Sequence, residues 1–157
     1  MSDFMTPEDH AARRAAITAG LRAKTGIDDA MIETVVRTFY ERVRDDALLG
    51  PVFAARITDW EPHLKRMFAF WSSVTLLTGV YHGQPMRPHL TLAVDAAHFD
   101  RWLDLFRATA REICPPNAAA AFIERAEMIA QSIEMGIATT NGVRLAPGQR
   151  FHNPALA

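Results

Sequence analysis

The fold turns on one stretch, which reads HLKRMFAFWSSVTLL over 63–77, TGVYHGQPMRPHLTL over 78–92 and, after a short turn, HFDRWLDLF over 98–106. In the first block Leu64, Met67, Phe68, Trp71 and Val74 recur every three or four residues, the spacing of a half-buried helix. Trp60 leads that stripe, and Phe70 and Leu77 widen it. The helix starts near Thr58 or Asp59, either of which can cap it, and Pro62 is tolerated because it falls in the first turn. The second block cannot continue the helix, because Gly79, Gly83, Pro85 and Pro88 crowd into it. A short turn at His89-Leu90 follows. From about Ala96 a second bulky helix carries Phe99, Trp102, Leu103, Phe106, Ala110 and Ile113 on one face, until Pro115-Pro116 ends it. Two apolar helices therefore bracket a Gly/Pro hinge, with His63 on one side of the break and His89 on the other.

The flanking segments extend the helical pattern. Thr6-Pro7-Glu8-Asp9 opens a helical preamble over 1–26 with a capping hydroxyl, a proline in the first turn and acids at the positive helix end. Its apolar stripe (Ala16, Ile17, Leu21) is thin, and Gly26 suits a helix stop. Ile32, Val35, Val36, Phe39, Tyr40 and Val43 follow the helical rule without a gap after a cap at Asp28 or Asp29, so Tyr40 faces inward. Asp45–Ile57 is a connector in which Pro51 opens one short turn and Phe53 is the large apolar residue that must go inside. Asn117 suits the cap of a last helix with Phe122, Ala126, Ile129, Ile133 and Ile137 inward. From Thr139 periodicity is lost, and a loosely held tail is expected. No strand pattern appears. The reading is all-α, with five long helices, divided as a helical extension (1–26), a core domain (27–138) and an irregular tail (139–157).

Composition narrows the function classes. A net charge of −1 with dispersed basic residues gives no electrostatic footprint for nucleic acid. The single cysteine, Cys114, excludes an internal disulfide and a multi-cysteine metal site. No apolar run reaches membrane-spanning length, and MSDFMTPEDHAARR lacks the apolar core of a signal peptide. A cytoplasmic location without a membrane partner is the expectation. There is no Gly-rich phosphate loop and no G-x-S-x-G elbow.

The candidate chemistry lies in the two histidines and their neighbours. Haem iron needs one strong axial ligand, which a neutral imidazole supplies, and a short turn after Gly/Pro breaks brings a side chain close to a flat cofactor. On spacing alone His89 reads more readily as a surface-loop histidine than as that ligand. Tyr40 and His63 are candidates for the opposite wall, where a polar N–H or O–H would stabilise negative charge on a diatomic ligand. Each also reads as an ordinary core or first-turn residue. Trp102 faces inward with an indole N–H that needs a partner if buried. Arg66 and Arg87 flank the histidines and suit haem propionates or plain solvent. No Cys-x-x-Cys-His is present, so a haem would be held without thioether links.

At this point several motifs coincide. FYERVR around Tyr40, LGPVF ending at Phe53, W-x-x-HL at Trp60–Leu64, FW at Phe70–Trp71, Y-x-G-x-P-x-x-x-H at Tyr81–His89 and F-x-x-W-L-x-L-F at Phe99–Phe106 together resemble the truncated haemoglobins, and among them the third bacterial group. The resemblance runs from about Ile27 to Ile137. It implies a shortened globin fold, a two-over-two helical sandwich around non-covalent haem b. It implies His89 as the proximal iron ligand, and Tyr40, His63 and Trp102 as the polar distal residues that would carry any chemistry. Phe53, Arg66, Met67, Phe70 and Arg87 complete the expected surround of the cofactor. The implied function is reversible binding of dioxygen, nitric oxide or other diatomic ligands. Nitric oxide dioxygenase or peroxidase-like activity stays open, with a reductase as electron donor. The alternative is a haem-based redox or gas sensor acting through a protein partner. Two departures bear on the site: the Phe53–Trp60 connector is short, which leaves the direction of His63 open, and Pro88 directly precedes His89.

Overall fold

The computed structural model describes residues 4–156. All its long elements are helices: α1 (Pro7–Thr25), α2 (Asp29–Asp45), α3 (Gly50–Ala54), α4 (Trp60–Leu76), α5 (Met86–His89), α6 (Ala96–Ile113) and α7 (Pro116–Thr140), followed by a 3-10 turn at Pro154–Leu156. No strand occurs among the described residues.

Local chemistry explains most boundaries. The Thr6 hydroxyl accepts from the Asp9 amide while the Asp9 carboxylate accepts from Thr6, a reciprocal cap on α1. Gly26 closes that helix at φ 74°, a left-handed conformation that glycine adopts without steric cost. The Asp28 carboxylate accepts from the Met31 amide at 2.8 Å and starts α2. In α2 the buried residues are Ile32, Val35, Val36, Phe39, Tyr40 and Val43, the face that the spacing predicts. Asp95 caps α6 together with His98. Two local expectations change. Asn117 does not cap α7, which already begins at Pro116, so Asn117 lies in the first turn. Leu77 does not widen the α4 stripe; it is the C-cap of that helix at φ 55°, which turns its side chain out to 47% exposure.

Packing forms two layers. α2 lies against α4, α6 lies against α7, and α2 crosses onto α6 while α4 reaches α7. α1 leans on α4 and α7 but has no buried residue of its own. The interior divides into two apolar clusters. The larger contains Phe39, Tyr40, Leu64, Trp71, Phe106 and Phe122, with Phe53, Met67 and Trp102 half-buried at its margin. The smaller is built from Val94, Ile133, Ile137, Ala138 and Phe151, with Val52, Met86, Leu92 and Phe99 half-buried against it. Ile129 touches both. Each cluster thus presents an unfinished apolar edge.

The segment after α7 is irregular, as its sequence suggests, but it is pinned rather than loose. Phe151 is fully buried, its amide donates to the buried Glu134 carboxylate at 3.0 Å, and its carbonyl accepts from the Ala96 amide at 2.8 Å. A single aromatic anchor and backbone bonds have no periodicity, so the helical rule could not reveal them.

Candidate functional site

α5 is a four-residue helix that carries His89 as its last residue. Pro88 sits inside this one turn, where its missing N–H removes no helical bond. The departure noted in the sequence therefore leaves the backbone helical up to His89. α5 rests on α7 at Gly136. A Cβ added there would stand 2.8 Å from Met86 Sδ and 3.1 Å from Leu90 Cδ2, so glycine permits the close approach.

The His89 ring is half-buried, and its Nδ1 is hydrogen-bonded to the carbonyl of Pro85, one turn back. A carbonyl only accepts, so the proton is on Nδ1 and Nε2 carries the lone pair. That arrangement fixes the tautomer that metal-ligating histidines use. Burial lowers the pKa of the ring, against the opposing pull of the Pro85 carbonyl, which favours the neutral form with a lone pair to give.

The opposite side is built by α2, α3 and α4. Tyr40 is buried at 6% exposure and meets four rings: Phe39 at 5.1 Å, His63 at 5.2 Å, Trp60 at 5.8 Å and Phe53 at 5.9 Å. Its hydroxyl enters no hydrogen bond with the described residues, and burial raises its pKa, so it stays a neutral phenol. His63 stands edge-on to both Tyr40 and Trp60. Its Nε2 is the one buried side-chain nitrogen or oxygen without a partner among the described residues. The short Phe53–Trp60 connector therefore leaves this ring pointing in. Burial first, then the nearby charges of Arg66 and His89, push the His63 pKa down to about 4. A buried nitrogen with no partner costs about 1–3 kcal/mol, which a bound polar group would relieve.

Trp102 is half-buried on α6, edge-on to Phe39 at 5.3 Å and stacked on Phe106 at 5.5 Å. Phe53 and Met67 line the margin of the same cluster. Phe70 is placed elsewhere: it is buried against Trp71 and Tyr81, in the packing of α4 on the hinge rather than beside Tyr40 and His63. Arg66 and Arg87 are exposed and form no ion pair with the described residues. Spacing placed Trp60 at the head of the α4 stripe but gave it no part in the site; it packs against both Tyr40 and His63 and carries Arg44 over its ring at 4.6 Å. Nor did spacing single out Gly136, whose only sequence signal is a glycine inside an otherwise unbroken helical face.

No group of three or more His, Cys, Asp and Glu side chains suited to a metal occurs among the described residues. The donor set is instead one imidazole tethered through Nδ1, which fits a metal brought in by a flat organic cofactor. No helix among the described residues is long and apolar enough to cross a membrane.

Two crossed helical layers, with one tethered imidazole on α5 and a second on α4 whose buried Nε2 has no partner among the described residues, are the arrangement of a protein of globin type. The family described as bacterial-like globin matches residues 23–134. The group 3 truncated hemoglobin ctb of Campylobacter jejuni is 32% identical over 113 residues, which cover 69% of this chain and 89% of that protein. The crystal structure of the group III truncated hemoglobin from Campylobacter jejuni superposes with a TM-score of 0.65 at 30% identity, covering 78% of this chain and 95% of that one. The chain belongs to the bacterial-like globins, and among them to the group III truncated haemoglobins. Membership in this family implies a haem cofactor and the binding of diatomic ligands.

Proposed function

We propose that this chain holds haem b without a covalent link, that His89 Nε2 would hold its iron, and that Tyr40, His63 and Trp102 would greet dioxygen and related diatomic molecules bound there. The observation that carries the proposal is the pair of imidazoles. One has its Nδ1 bonded to the Pro85 carbonyl and its Nε2 free; the other has a buried Nε2 with nothing to bond. The cofactor would supply a reducible iron with one open position for the ligand. Phe53 and Met67 would cover one porphyrin face with apolar contacts, and Met86 and Leu92 the other. Phe70 would act from behind, by packing α4 against Tyr81. Arg66 and Arg87, exposed and without an ion pair among the described residues, suit the propionates at the rim.

The three polar residues do different work. Tyr40, a neutral phenol, can donate its O–H to a ligand that has gathered negative charge. His63 is neutral at physiological pH, so it presents one N–H and one lone pair. Trp102 can only donate. Several donors on one small ligand retard its release, which suits a dioxygen retained for reaction, with nitric oxide for example, rather than oxygen delivery. An electron donor, a reductase by class, would keep the iron ferrous. The test is an absorption spectrum of the haem-reconstituted chain. A Soret band shifted by carbon monoxide in the native chain, and lost or shifted to a non-imidazole form in His89→Ala, is the expected result. A His89→Ala spectrum identical to the native one would refute the ligand assignment.

A further inference from the structure

We infer that the segment after α7 is a strap on the His89 side of the molecule: Phe151, fastened through Arg150 and Asn153, positions the Met86–Val94 stretch. This rests on the haem reading above.

The location is the first argument. Phe151 shares one apolar cluster with Val94 and Ile137, and Met86 and Leu92, which stand on either side of His89 in the chain, pack against that same cluster. Val143 and Leu145 of the segment join them. The residues that carry His89 therefore lie on a floor partly made by the tail.

The fastening is the second. The Phe151 carbonyl accepts from the Ala96 amide, and the Asn153 amide donates to Asp95 Oδ2 at 3.0 Å. Asp95 and Ala96 begin α6, just after the His89 stretch. Arg150 bridges three groups: Glu134 on α7 at 3.0 Å, Asp100 on α6 at 2.8 Å and the Ala96 carbonyl at 3.3 Å. Glu134 is buried at 6% exposure, where an unpaired carboxylate would be costly, so Arg150 and the Phe151 amide complete it. The segment is thus tied to the helices before and behind the pocket floor.

The third argument is need. One turn of helix has little stability of its own. α5 is that short, and Pro85, Arg87 and Pro88 around it are exposed. The match to the family model ends at residue 134, before the segment begins. Phe151, Arg150 and Asn153 are positioning residues, acting through the Met86–Val94 stretch and the start of α6.

The experiment uses the full-length ferric protein loaded with haem and mixed with excess apomyoglobin, and follows haem transfer by absorbance. Phe151→Ala should speed transfer about tenfold, as loss of support behind a metal-ligating histidine does. Arg150→Gln, a milder change at a half-exposed site, should speed it by a smaller factor. In the ferrous state the iron–imidazole stretching band should broaden or shift in both variants. Helical circular dichroism of the haem-free chains should match the native chain. Native transfer rates and an unmoved band in Phe151→Ala would overturn the strap. So would faster transfer that appears only with loss of helical signal, because the segment would then merely stabilise the fold. Failure of the native chain to take up haem would instead sink the haem reading on which the strap depends.

Discussion

Tyr40 shows how far one residue can be read. Its place on the inner face of α2 follows from the uninterrupted spacing Ile32 to Val43, and the structure buries all six of those positions. What spacing does not give is the state of its hydroxyl, which depends on Phe53, Trp60 and His63 closing around it from other helices. If this hydroxyl holds the ligand, Tyr40→Phe removes one charge-assisted hydrogen bond. Dioxygen release should then quicken by roughly 5- to 150-fold. Stopped-flow displacement by carbon monoxide measures this directly, and an unaltered release rate would take Tyr40 out of the binding mechanism. His63 gives a second residue-level consequence. Its folded pKa of about 4 lies below the ordinary value near 6.5. Between those limits the unfolded chain binds the extra proton, so this ring's contribution is favourable above about pH 6.5 and is lost as pH falls toward 4. The haem-free His63→Leu variant should lose less stability than the native chain between pH 7 and pH 4.5, by about 1 kcal/mol after allowance for solvent near the ring. Urea titrations at the two pH values test it; parallel losses in both chains would contradict it. His89 is the opposite case to Tyr40. Spacing says nothing of it, because α5 is too short to have a period. The Gly/Pro breaks before it made it a candidate, and the resemblance of Tyr81–His89 to a known motif raised it above a surface-loop histidine.

Among the elements, α5 and α7 make the most informative pair. The long helix was legible from Phe122 to Ile137, but its contact with α5 was not, because that contact depends on the absence of a side chain. Gly136 leaves the gap into which Met86 and Leu90 fit. Gly136→Val would fill that gap with a branched side chain, costing about 1–3 kcal/mol by overpacking. It should also push α5 away from α7. The expected results are a lower thermal midpoint for the haem-free protein and weaker haem uptake in titration. A native midpoint and native uptake together would show that α5 does not bear on this position. The α4 helix teaches a related lesson: its stripe was legible, yet Leu77 fell at the left-handed cap and turned outward, since periodicity cannot locate the residue at which a helix stops.

For the molecule as a whole, the all-helical class and the order of the five long helices were legible, because each buries one face at regular spacing. The division of the interior into two apolar clusters was not, because it arises from how α2, α4, α6 and α7 cross. The end of the chain was the least legible part. Phe151 and its partners join residues 16 to 58 positions apart through side chains and backbone groups, with no local repeat to announce them.

α1 has a different relation to the rest. It buries no residue, and its tie to α4 includes a Thr18 hydroxyl donating to the Leu76 carbonyl at 2.8 Å. Such a helix should open on its own, long before the body of the protein unfolds. Amide protons of Arg13 to Gly20 should therefore exchange with deuterium at least tenfold faster than those of Val35 to Val43, and limited protease should clip α1 away while the remainder persists as a resistant fragment. Equal protection of the two helices would mean that α1 shares the cooperative unit. If it does peel, the chain wears a detachable sleeve, and partners or proteases can engage its first two dozen residues without disturbing the pocket beneath.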